Sequence, residues 1–105
     1  MNYKQFMPGK VTAADYKFVE KHVAKHMTEG DKTIKNPFSG ETAVVNPLIG
    51  ALYQMIEDLQ QADYHTGDYI YEKYGLTKKN WVSKFDRARY LILKLDSNIY
   101  MNFVD

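Results

Sequence analysis

The stretch from Thr77 to Phe103 carries apolar residues at Trp81, Phe85, Ala88, Ile92, Leu95 and Ile99, at steps of four, three, four, three and four. That spacing holds them on one face of an α-helix. An amphipathic helix must bury its apolar face against another element. The matching stripe is Leu48, Leu52, Met55, Ile56 and Leu59, widened by Ile49 and Tyr53. The two stripes are expected to pack together at the centre of one domain. The chain has 105 residues, which suits a single core. The reading is mainly α: a compact three- to four-helix domain over 1–105, with 1–11 as an amino-terminal arm, partly anchored and extended.

Local signals divide the rest. Thr12 and Asp15 form a capping-box variant that opens a helix from Ala13 to Met27 or Thr28, with Tyr16, Val19, Val23 and Met27 on one face and Gly30 as terminator. Residues 31–46 hold the turn pairs Asn36-Pro37 and Ser39-Gly40 between β-branched runs. Two readings stand there. One is a small β-hairpin, Lys32–Lys35 against Glu41–Val45, between the first two helices. The other is an ordered loop whose Phe38, Val44 and Val45 plug the bundle. Asn46-Pro47 then starts the next helix, Asn as cap and Pro at its first position. Gly50 inside it suggests a close helix crossing. Asp63 falls on the apolar stripe, so a bend near His65-Thr66-Gly67 is favoured over one long helix, 47–74. A short helix from Asp68 to Tyr74 would stop at Gly75. Thr77 can cap the last main helix, 78–95, which Asp96-Ser97-Asn98 interrupts.

Composition excludes several classes. Without cysteine there is no disulfide framework and no thiolate metal site. No apolar run reaches the length of a membrane span, and no basic-flanked apolar leader begins the chain. The expected location is cytoplasmic. A net charge of +1 argues against strong nonspecific nucleic-acid binding. The charge is nonetheless segregated. Glu57, Asp58, Asp63, Asp68 and Glu72 precede a basic block of Lys78, Lys79, Lys84, Arg87, Arg89 and Lys94, broken by Asp86. Packed antiparallel, the two blocks would neutralise each other. Arg89 could reach Asp63 or Asp96.

Three constellations could carry function. His22 and His26, four apart, lie on one side of the first helix and could hold a metal with a third ligand such as His65, Asp63 or Asp68. The motif HVAKH lacks the general base of HExxH, and the plainer reading is two boundary histidines near a helix C-terminus. No cofactor motif stands out. Lys78, Lys79, Lys84, Arg87 and Lys94 could follow a phosphate backbone or simply solvate a helix. Tyr64, Tyr69, Tyr71 and Tyr74, rimmed by Asp68 and Glu72, could present exposed aromatic rings to a partner protein.

The segments NPFSGETAVVNP and FDRARYLILKLDSNIYMNFVD resemble small accessory proteins of tailed bacteriophages. That resemblance implies a protein made during infection, in the host cytoplasm, that binds a host protein. It assigns no residues. The functional expectation is a noncatalytic protein-binding module using Tyr64, Asp68, Tyr69, Tyr71, Glu72 and Tyr74. The alternative is a nucleic-acid-binding domain on the basic face of the 78–95 helix, and the third is a metal-dependent enzyme at His22 and His26. A homodimer is a further expectation from the tyrosine content.

Overall fold

The computed structural model describes residues 2–65 and 68–104, without the side chains of 63–65 and 68. After a 3₁₀ turn at Tyr3–Phe6, the elements run α1 (Ala13–His22), β1 (Lys32–Lys35), β2 (Thr42–Val45), α2 (Pro47–His65), α3 (Asp68–Lys73), α4 (Trp81–Leu95) and α5 (Ser97–Ile99). A π-wound turn, Tyr100–Val104, follows. The fold is mainly α with a two-stranded hairpin between α1 and α2. None of the helices, among the described residues, is long and apolar enough to cross a membrane.

The two apolar stripes meet as their periodicity requires: α2 packs chiefly against α4. Leu48, Leu52, Met55 and Leu59 interleave with Ala88, Leu91 and Ile92, all fully buried. Burial of each leucine contributes about 1.5–3 kcal/mol. Phe18 and Val19 of α1, Val23 just past its end, and Tyr71, Tyr74 and Leu76 around α3 complete this core. Trp81 is half-buried at its edge, stacked on Tyr71 with ring centres 5.7 Å apart and planes at 18°. It therefore joins α3 to α4. The arm is anchored, as Met7 is buried and its carbonyl accepts from Tyr16 Oη at 3.2 Å. It includes a 3₁₀ turn where an extended segment was expected.

Two of the three caps fall where the sequence places them, and Thr77 closes a turn before the last main helix instead of capping it. Thr12 Oγ1 accepts from the Asp15 amide at 3.2 Å, and Asp15 Oδ2 accepts from the Thr12 amide at 2.9 Å. Asn46 Oδ1 accepts from the Ile49 amide at 2.9 Å. Thr77 and Asn80 exchange the same pair of bonds, at 2.8 and 3.3 Å. The turn they close delays α4 to Trp81. Asp96 ends α4 in an extended conformation and caps α5 through the amides of Asn98 and Ile99.

Two expectations change, and one open choice closes. The first helix ends at His22, where Val23 leaves helical angles, and Ala24–His26 winds as a 3₁₀ turn. Gly30 thus lies well past its end. The hairpin, not the loop, forms at 31–46, with Lys32 opposite Val45 and Lys35 opposite Thr42. Strand alternation buries Ile34 and Val45 on Ile49 and Tyr53, and turns Val44 outward. Gly50 marks a close approach of that hairpin rather than of a helix. A Cβ at Gly50 would lie 3.1 Å from the Lys32 Cβ. The assigned helix ends at His65 and resumes at Asp68, and the expected bend at Thr66-Gly67 lies outside the described residues.

Candidate functional site

The tip of the hairpin holds the most exposed large apolar side chain among the described residues. Phe38 is 97% exposed. Its backbone is nonetheless fixed, because Asn36 organises the whole turn. The Asn36 Oδ1 accepts from the amides of Phe38 at 2.8 Å and Ser39 at 3.2 Å. The Asn36 amide donates to the Glu41 carbonyl and its carbonyl accepts from Gly40, each at 2.9 Å. Its Nδ2 reaches out of the hairpin to the Asn102 carbonyl at 2.8 Å, tying the tip to the π-wound turn. Ser39 Oγ accepts from the Glu41 amide at 3.2 Å. Gly40 turns the chain back with φ +77°, a conformation that side chains disfavour.

Beside the tip lies a cleft of about 140 Å³ between hairpin and α2, lined by Pro37, Tyr53, Ile56, Glu57, Gln60 and Phe103 among others. Tyr53 Oη donates to the Lys35 carbonyl at 3.0 Å. Burial first, and then the nearby Glu57 carboxylate, push the phenol up to about 12, so it stays protonated. Among the described residues the lining offers rings, amides and a single carboxylate.

The tyrosine-rich segment divides. Tyr69 is 72% exposed and Glu72 is exposed, so these two face solvent. Tyr71 and Tyr74 are core residues, 7% and 1% exposed. They are three apart on a short helix and share its buried face, so they present no ring to a partner. Tyr64 and Asp68 lie outside the residues whose side chains are described. Tyr74 is instead a junction. Its Oη donates to Asp58 Oδ2 at 2.5 Å, which also accepts from Lys73 Nζ at 3.2 Å, while Asp58 Oδ1 accepts from Gln54 Nε2 at 2.9 Å. Burial, followed by the Asp58 contact, raises the Tyr74 phenol far above its usual range. Burial opposes ionisation of Asp58, but the three donors outweigh it and hold its pKa below the usual carboxylate value.

Both candidate metal ligands are engaged with main-chain carbonyls. His22 Nδ1 donates to the Tyr74 carbonyl at 2.7 Å, and His26 Nε2 to the Lys73 carbonyl at 3.0 Å. These are carbonyls that the end of α3 leaves without helical partners. The preceding two are closed by a Schellman arrangement, Leu76 amide to Tyr71 at 2.8 Å and Gly75 amide to Glu72 at 3.0 Å. The histidines thus finish the end of another helix. Burial, as the leading cause, depresses the pKa of both. Among the described residues, no three His, Asp or Glu side chains group as metal ligands.

The basic row is also redistributed. Arg87 Nη1 and Lys94 Nζ bind the buried Asp15 carboxylate at 3.3 and 2.7 Å. These two charges go to Asp15 of α1 and not to the acidic block at 57–72, whose Asp58 is answered by Lys73 and Tyr74. Arg89 sits 3.7 Å from Asp86 and over the Phe85 ring. Of the remaining cations, Lys78 and Lys79 are exposed and Lys84 is half-buried. The Asp15 pairing carried no local signal, since its partners lie 72 and 79 residues away. The exposure of Phe38 was foreshadowed by its place between Pro37 and Gly40, where a tight turn projects its middle residue.

No protein-family model matches the chain, and no curated protein or solved structure is detectably similar to it.

Proposed function

We propose that the protein is a noncatalytic protein-binding module whose anchor is Phe38. The observation that carries this reading is a fully exposed ring on a turn fixed by the hydrogen bonds of Asn36. An aromatic anchor that enters a partner's pocket supplies much of the energy of an interface. A turn already held in its bound shape loses little entropy on docking. The cleft between tip and α2 gives a partner polar groups, Glu57 and Gln60, around that anchor. Tyr69 and Glu72 are what remains of the tyrosine-rich surface as a second contact. A host protein as partner rests on the resemblance to tailed-phage accessory proteins alone. The nucleic-acid alternative retains Lys78, Lys79 and Lys84, with Arg87 and Lys94 sharing Asp15.

The test is capture of a stoichiometric partner by the wild-type chain and by Phe38→Ala. A hot-spot anchor predicts weakening by at least ~2 kcal/mol, roughly 30-fold. The melting temperature should not change, since the ring packs on almost nothing. If Phe38→Ala retains the partner while Tyr69→Ala loses it, the surface belongs to α3. If both retain it, neither surface is the contact. Tyr71 is unsuited to this test because its removal opens the core. Light scattering separates a second copy of the chain from a different protein.

A further inference from the structure

An open cleft of about 300 Å³ lies between α1 and α4. Lys17 and Lys21 line it from α1, Lys84 and Arg87 line it from α4, and Phe18 and His22 contribute to its floor. The α1 pair is one turn apart, ~6 Å along the axis. Among the described residues, no carboxylate forms an ion pair with Lys17, Lys21 or Lys84. Arg87 shares Asp15 with Lys94. Four cations from two helices therefore line one recess in a chain whose net charge is only +1. Like charges gathered in a walled cleft raise the local potential and attract counter-charge. Burial lowers the His22 pKa, its bond to the Tyr74 carbonyl opposes that, and the Lys84, Lys21 and Lys25 charges add to the lowering.

We propose that this cleft binds a compact polyphosphate group, either free inorganic triphosphate or the phosphate chain of a nucleoside triphosphate. Ammonium and guanidinium groups make charge-assisted hydrogen bonds to phosphate oxygens. Two helix faces can grip such a chain from both sides. Arg87 is partly neutralised by the buried Asp15, so among the described residues the unpaired positive charge is concentrated on Lys17, Lys21 and Lys84, a short cluster that suits a compact anion. Phe18 is buried and offers no free face on which a base could stack. The site therefore reads charge density and leaves any attached nucleoside uncontacted.

Calorimetric titration of the full chain at low salt tests this, with inorganic triphosphate, ATP, orthophosphate and a single-stranded oligonucleotide as separate ligands. Triphosphate and ATP should bind one to one with similar affinity, orthophosphate at least tenfold more weakly, and binding should weaken as salt rises. The double variant K21E/K84E should lose at least tenfold in affinity, and K35E, on the hairpin, should lose nothing. If the double variant does not fold, K17E alone should still weaken binding. Absence of saturable triphosphate binding, equal weakening by K35E, or tighter binding of the oligonucleotide through Lys21 and Lys84 would overturn the proposal.

Discussion

A carboxylate nearly excluded from water persists as an anion only when its charge is answered by donors around it. Asp15 has 4% of its side chain exposed and receives the Thr12 amide, Lys94 Nζ and Arg87 Nη1. It closes the first turn of α1 and also fastens α1 to α4. Burial alone would raise its pKa, but the Lys94 and Thr12 hydrogen bonds and the Lys94 charge prevail and lower it. Asp15→Ala removes one of the two capping-box bonds and strands two cations. Cap loss costs about 0.5–2 kcal/mol, and breaking a fully buried pair about 3–5. Arg87 and Lys94 are 42% and 36% exposed in their side chains and can rehydrate, so the sum falls short of full additivity. Urea unfolding should show a loss of about 2–4 kcal/mol for Asp15→Ala. Asp15→Asn keeps an oxygen for the Thr12 amide and should lose less. Equal losses would mean that the charge, which both variants remove, dominates over the cap.

At the scale of elements, the end of α3 shows how a helix of six residues is held. Its last carbonyls are closed by Gly75, Leu76, His22 and His26. Gly75 has φ +70°, and a Cβ there would lie 3.4 Å from His22 Nδ1. Gly75→Ala is expected to destabilise by about 1–2 kcal/mol from the left-handed conformation alone. It should also perturb the His22 ring, visible as a shift of its imidazole resonances in NMR. An unchanged midpoint would show that α3 does not depend on this cap. Much of this level was legible from residues: Thr12 and Asn46 cap, and the stripes at Leu48–Leu59 and Trp81–Ile99 pair. These signals are local or periodic, so the chain itself displays them. Long-range choices are not displayed. Asp15 gives no hint of Arg87, and His22 gives none of the Tyr74 carbonyl. Tyr71 and Tyr74 were misplaced as surface because composition was weighed over their spacing of three. Phe38 could be read as a plug or a tip until the strand register excluded the plug.

For the whole molecule, α1 and the 3₁₀ turn after it form the clasp: His22 and His26 hold the end of α3, and Asp15 holds α4. Both halves of that clasp are titratable, which makes global stability a function of pH in two ranges. His22 and His26 have folded pKa values below the unfolded value of 6.5, mainly through burial. In the folded chain they stay neutral while the unfolded chain takes up protons. Their contribution is therefore complete above pH 6.5 and declines as pH falls below it, until the folded pKa is passed. Asp15 and Asp58 are held below 3.8 by their donors, despite burial. Their contribution is complete above pH 3.8 and declines below it, as the folded carboxylates gain protons and release Lys94, Lys73 and Tyr74. Urea midpoints measured from pH 8 to pH 3 should be level at first, fall below pH 6.5, and fall again below 3.8. The double variant H22Q/H26Q should start less stable and lose the upper decline, while Asp15→Asn should keep the upper decline and reduce the lower one. A midpoint that rises between pH 7 and pH 5 in the wild-type chain would mean that the histidines are charged in the fold, and that the carbonyls at the end of α3 are held by imidazolium rather than by neutral rings.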